Sequence, residues 1–344
     1  MLLQGIFPPI TTPFYPDGKV YYRKLEHNVD RYSRTPCAGI MALGSTGEAI
    51  LLSDEERREV LKVTREAAAA EKVLIAGTGC ESVSETLRLT EYAAGIGYDV
   101  AMVRTPYYYR GQTTAFNVLA FYHTLADRSP LPVIIYNFPQ ATGYDIPAEL
   151  VIELADHPNM IGIKESSGNV EKVRTMHAGT RHVKRSAIVT EIFNAVTPRM
   201  TSAKAAAGGG LVNLGEGNVA LQAPPIKTRT RDVGFQVMVG AAHQLLPSLE
   251  AGGVGAILAF ADAAPTAMFE IYTAWKEGDL ALAKEKQERY GPAARRLVSE
   301  LGIPAIKYAM DLNGYYGGPP RLPLLPPTAD VKAEIEKFMA DIRN

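Results

Sequence analysis

Lys164 ends the apolar run Met160-Ile161-Gly162-Ile163, where a charge is costly. A lysine desolvated inside a protein has a lowered pKa, so part of it is a neutral amine at working pH. A neutral amine attacks a ketone and forms an imine. The protonated imine is an electron sink, so an adjacent carbon–carbon bond can break or a carbanion can form. Tyr136 closes a second apolar run, Val133-Ile134-Ile135. Its phenol can give and accept a proton. A free tyrosine titrates near about 10, so it needs a hydrogen-bonded relay to act near neutrality. Ser45, Thr46 and Tyr108 are the hydroxyls available for that relay. The turn Gly44-Ser45-Thr46-Gly47 has small residues and free backbone N–H groups, so it can cradle a carboxylate. Taken singly, these features also suit a snorkelling lysine, a packed tyrosine and a tight turn before a helix.

The elements that must position these groups are short β-rich runs alternating with longer amphipathic stretches. The predicted strands are Gly5–Thr12, Gly39–Leu43, Val73–Gly77, Val100–Arg104, Val133–Asn137, Ile161–Lys164, Phe235–Val239 and Gly255–Phe260. Predicted helices between them include Asp54–Ala70, Val83–Gly95, Thr114–Ala126 and Pro147–Ala155. Ser53 before Asp54-Glu55-Glu56 is a sound helix start. Eight β-α alternations favour a closed (β/α)8 TIM barrel over an open doubly wound sheet. Active sites of such barrels lie at the C-terminal ends of the strands, where Lys164, Tyr136 and the Gly44–Gly47 turn all fall.

The barrel is expected to occupy residues 1–264, and a C-terminal helical region, 265–344, to pack on it. Leu280–Arg296, Ile303–Leu312 and Asp330–Ile342 are its predicted helices, the first including or following the eighth barrel helix. The stretch from about Val183 to Asp232 breaks the rhythm. An αβ connection takes about 2–6 residues, so roughly 45 are surplus. This insertion should emerge at the bottom of the barrel, away from the active face. It holds GGG and GEG but no phosphate-cradling G-x-x-x-x-G-K-[ST].

The chain has 344 residues, 47% of them hydrophobic, enough to fill a large core. Its 36 basic and 37 acidic residues nearly cancel, with no like-charge block to bind nucleic acid or a membrane surface. Cys37 and Cys80 are too few and too far apart for a disulfide framework, so two reduced thiols are expected. No apolar run reaches the length of a membrane span, and no signal peptide is apparent, which points to the cytoplasm. The histidines are scattered, and neither a metal site nor an organic cofactor is expected.

The combination GSTGE, TPYYYRG, YNFP and GIKESSG resembles the dihydrodipicolinate synthase/N-acetylneuraminate lyase family of pyruvate-dependent aldolases. The resemblance covers nearly the whole chain except 183–232, with four motifs in order on successive strands. It implies that Lys164 forms the Schiff base and Tyr136 is the acid/base. Ser45 and Thr46, with Gly44, bind the pyruvate carboxylate and join the relay. Tyr108 completes a neighbouring subunit's relay, so a homotetramer, a dimer of dimers, is implied.

In the lysine-pathway enzyme of this family, the segment after the tyrosine carries an arginine that grips a semialdehyde carboxylate. Here Ala141 occupies that position, and Gly240-Ala241-Ala242 after strand seven has no acid. A methyl cannot make the bidentate pair a guanidinium offers. TPYYYRG, DVGFQVMVGAA and GYYGGPPRLPL instead resemble the 4-hydroxy-2-oxoglutarate aldolase branch, which implies cleavage to pyruvate and glyoxylate. Ser166, Gly240 and Ile257 are the further expected pocket residues. The alternatives are 4-hydroxy-tetrahydrodipicolinate synthase, a 2-keto-3-deoxy sugar-acid aldolase or dehydratase, and, from another class, a non-catalytic 2-oxo-acid-binding barrel.

Overall fold

The structure, a computed structural model, describes residues 2–191 and 227–342. Its strands, in chain order, are β1 (Gly5–Phe7), β2 (Gly39–Ala42), β3 (Val73–Gly77), β4 (Val100–Arg104), β5 (Val133–Asn137), β6 (Met160–Glu165), β7 (Arg185–Glu191), β8 (Lys227–Val233), β9 (Gln236–Val239) and β10 (Gly255–Ile257). Eight of them form one parallel sheet in the order β1-β10-β9-β6-β5-β4-β3-β2. The remaining seam, between β1 and β2, is joined by Ala38 N–H to Ile6 O (2.9 Å) and Met41 N–H to Pro8 O (3.0 Å). The sheet therefore curls into a TIM barrel.

The intervening helices are α1 (Tyr22–Ser33), α2 (Asp54–Ala67), α3 (Val83–Gly95), α4 (Ala115–Arg128), α5 (Pro139–Thr142), α6 (Ala148–Ala155), α7 (Val170–Gly179) and α8 (Leu245–Glu250). After β10 come α9 (Phe260–Ala263), α10 (Pro265–Glu277), α11 (Leu280–Ala294), α12 (Ile303–Leu312) and α13 (Ala329–Met339). Helix α2 starts in a capping box: Ser53 Oγ accepts from Glu56 N–H (3.2 Å), and Ser53 N–H donates to Glu56 Oε2 (3.0 Å). The inner strands are buried along nearly their whole length, as parallel strands covered on both faces must be. Phe7, Met41, Ile75, Met102, Ile134 and Met238 belong to one buried cluster contributed by successive strands.

Three strands, β3, β4 and β5, stand where the apolar runs predict them. The first strand, predicted as Gly5–Thr12, ends at Phe7, since Pro8 and Pro9 have no N–H for a ladder. The second ends at Ala42 because Leu43 turns to φ 60°. The last ends at Ile257, as the chain turns into α9. Helix α11 stops at Ala294, just past Pro292, and a π-helical turn covers Arg295–Glu300. After the short α9, the helix that packs on β1 is α10; α11 follows it.

Contacts gather Leu3–Lys184 with the chain from Gly234 onward into one compact unit, which includes the C-terminal helices. Strands β7 and β8 belong to a second unit and pair antiparallel, Arg185 opposite Val233 through Glu191 opposite Lys227. The sequence pattern does not announce this hairpin. The GGG and GEG runs lie outside the described residues.

Candidate active site

The register of β5 on β6 sets Tyr136 beside Lys164 and Asn137 beside Glu165. Alternation along a strand then sends one pair into the barrel and the other into the layer between barrel and helices. Lys164 is 4% exposed, and its Nζ lies 4.2 Å from the centroid of the Tyr136 ring. Among the described residues it has no ion pair and no side-chain hydrogen bond. Burial pushes its pKa down to about 7, against an upward pull from the carboxylate of Asp262. A large share of Lys164 is therefore a neutral amine near neutrality.

Tyr136 is also buried, which raises its pKa to about 12, and the Ser45 and Ser166 hydroxyls pull it back. Tyr136 Oη and Ser45 Oγ are 3.3 Å apart. Ser166 acts from outside good hydrogen-bond geometry, since its buried Oγ has no partner among the described residues. Ser45 is half-buried and Thr46 buried in the turn after β2, which closes with Gly47 N–H on Gly44 O (3.1 Å). Gly240 N–H donates to Glu165 O (2.7 Å), and a Cβ at 240 would lie 1.9 Å from Ser166 Oγ. Only glycine leaves room for that serine. Ile257 is fully buried in the same cluster as Tyr136.

Two expected residues stand apart. Ala141 is exposed on α5, behind Phe138, whose ring stacks on Tyr136 at 5.7 Å. Arg110 is a cation at this segment: its guanidinium packs so closely on Gly143 that a Cβ there would lie 2.6 Å from Nε. Tyr108 is 74% exposed and rests edge-on against Tyr109, so within one chain it does not meet Tyr136 or Ser45.

Sequence reasoning missed a buried charge network. Glu165 accepts from Asn137 Nδ2 (2.9 and 3.1 Å) and from Ser167 N–H (2.7 Å), and it pairs with Lys172 Nζ (3.3 Å). Asn137 and Lys172 also both reach Asp145. This network joins the ends of β5 and β6 one residue beyond Tyr136 and Lys164. A signal was available, since an acid beside Lys164 on a strand buried on both faces must find partners. Asp262 was missed too. It is fully buried, neither carboxylate oxygen has a hydrogen-bond partner among the described residues, and burial holds its pKa well above the carboxylate range.

A small cleft opens beside Gly44, Ser45, Cys80, Arg104 and Tyr136. Taken together, a TIM barrel with a desolvated lysine stacked on a relayed tyrosine is the arrangement of a carbon–carbon lyase of the class I aldolase type. The chain belongs to the dihydrodipicolinate synthetase family, which its sequence matches over residues 2–190 and 215–342. It is 28% identical over 338 residues to the 4-hydroxy-tetrahydrodipicolinate synthase of Methanothrix thermoacetophila, covering 98% of this chain and 96% of that one. It is 30% identical over 325 residues to the synthase of the same name from Methanospirillum hungatei, covering 94% of each. Among solved structures, it resembles the family member YagE of E. coli K12, crystallised in complex with pyruvate. That likeness has a TM-score of 0.78 at 26% identity, with 99% of each chain covered. No helix among the described residues is long and apolar enough to cross a membrane.

Proposed function

We propose that Lys164 holds pyruvate as an imine and that Tyr136 moves the protons. The neutral Nζ attacks the ketone carbon, and the carbinolamine loses water to give the imine. In the cleavage direction, the hydroxyl on C4 of the bound 2-oxo acid gives its proton to the Tyr136–Ser45 relay. The C3–C4 bond breaks, and its electrons move into the imine to form an enamine. Protonation at C3 and hydrolysis then release pyruvate. In the condensation direction, the enamine attacks an aldehyde. Ser45, Thr46 and the N–H groups of their turn hold the pyruvate carboxylate. Gly44, Ser166, Gly240 and Ile257 shape the pocket. The observation that carries this reading is the buried Lys164, without an ion pair among the described residues, set 4.2 Å from the Tyr136 ring.

The names and coverage of the relatives favour 4-hydroxy-tetrahydrodipicolinate synthase chemistry, the joining of pyruvate to a carboxylated semialdehyde. Cleavage of 4-hydroxy-2-oxoglutarate to pyruvate and glyoxylate is the second reading, favoured by Ala141, whose methyl offers no grip on a carboxylate. Either acceptor is an anion, and Arg110 is a cation at that segment. No metal or organic cofactor enters this chemistry. The assembly is a homotetramer in the cytoplasm, with Tyr108 entering a neighbour's relay; exposed Tyr108, Tyr109 and Phe116 support a covered face.

The test is borohydride trapping with pyruvate, followed by intact mass and peptide mapping. A pyruvate adduct on Lys164 is expected, and folded protein without one sinks the imine. Turnover of the semialdehyde against that of 4-hydroxy-2-oxoglutarate then decides the acceptor. Sedimentation checks the assembly.

A further inference from the structure

A second charged pair lies buried beneath the Ser45–Thr46 turn. The side chains of Lys307, on α12, and Glu48 are both fully buried, with Lys307 Nζ 2.5 Å from Glu48 Oε1. Lys307 also donates to Thr12 O (2.9 Å) and Pro319 O (3.0 Å). The other carboxylate oxygen of Glu48 accepts Arg321 N–H (2.8 Å). Thr12 Oγ1 donates to Gly47 O (2.6 Å), and Glu48 N–H to Ser45 O (3.0 Å). The segment after α12 is itself anchored, because Arg321 grips Glu56 through two nitrogens (2.7 and 2.6 Å).

The turn above this pair is strained. Leu43 (φ 60°) and Glu48 (φ 54°) bracket it with positive φ, a conformation costly for any residue with a Cβ. Such strain persists only where the surroundings over-determine it. Stability alone does not call for a buried ion pair here, since apolar residues of similar volume often serve as well.

We propose that Lys307 and Glu48 are positioning residues. They clamp the strained turn from below, aim the Ser45 and Thr46 hydroxyls, and so set the affinity for the 2-oxo acid. The inference rests on the reading that this turn holds the substrate's carboxylate.

The experiment is borohydride trapping at graded pyruvate concentrations on wild type, Lys307→Met and Thr12→Val. In Lys307→Met the half-saturating concentration should rise by about 10-fold or more, a penalty of about 1.4 kcal/mol. Trapping at saturation should stay within a factor of roughly two, because Lys164 is untouched. Thr12→Val removes only the bond to Gly47 and should raise half-saturation by about 3-fold, the size of one modest hydrogen bond. A merely structural pair would lower the melting temperature and leave the half-saturation of the folded fraction at its wild-type value. That result in both variants overturns the inference. Should Lys307→Met fail to fold, Thr12→Val decides alone. Absence of an adduct in wild type overturns the imine reading and this inference with it, a failure distinct from unchanged half-saturation.

Discussion

Lys164 and Lys307, two of the buried lysines of this barrel, sit in opposite surroundings. Lys164 lies against an aromatic face, with no ion pair among the described residues, and burial lowers its pKa to about 7 against the pull of Asp262. Lys307 sits beneath the strand-two turn, equally desolvated, but a carboxylate and two carbonyls surround its ammonium group. Burial lowers the pKa of Lys307 as well, and the charge of Glu48 pulls it back. Burial alone therefore does not make a nucleophile; the number of partners decides whether a sequestered amine keeps its proton. The same side chain stands without a counter-charge beside an aromatic ring in one place and against a carboxylate in the other.

Removing each lysine should separate the two roles. Lys164→Ala should abolish the trapped adduct and lower turnover on the order of 10^4-fold or more, as loss of a covalent centre does. Turnover above roughly a hundredth of wild type would end its part in the comparison. Tyr136→Phe should cost about 10²–10⁴-fold, the usual worth of a positioned acid/base, with binding of pyruvate retained. A pre-steady-state assay locates the loss in proton transfer, and a loss confined to KM contradicts it.

Stability should move the opposite way from activity. Lys307→Met leaves Glu48 buried without its counter-charge, so chemical denaturation should show a loss of about 3–5 kcal/mol. Lys164→Met removes a lone buried amine and should leave stability unchanged or raised. Equal losses in both would erase the distinction.

The smallest expected effect is a pH slope. The folded pKa of Lys164, about 7, lies below the unfolded value of about 10.4. Between those limits unfolding takes up a proton, so this group makes the protein more stable as pH rises, with its full penalty present below pH 7. Melting temperatures from pH 7 to 9 should therefore climb less in Lys164→Met than in wild type. The rate of adduct formation should rise through pH 7 as the free amine appears.

Much of this was legible in the chain. Apolar runs mark the strands because parallel strands covered on both faces have few polar positions. Lys164 and Tyr136 stand out for the same reason: each interrupts such a run. The clamp on the turn was not legible, since Lys307 and Arg321 reach Glu48 from the far end of the sequence and no local period links them. Asp262 was hidden in the alanine-rich stretch between the last predicted strand and the helical region from residue 265. The β7–β8 hairpin was missed because Lys227–Val233 alternates threonine with arginine and offers no apolar face.

The turn that carries Ser45 and Thr46 is held by contacts reaching forward to Lys307, Pro319 and Arg321. During synthesis those partners leave the ribosome long after the turn itself. The barrel's strands and its lysine are all translated before the last fixings of the cradle exist. If the clamp acts as proposed, a chain released short of these partners should bind the 2-oxo acid poorly even with every barrel strand present.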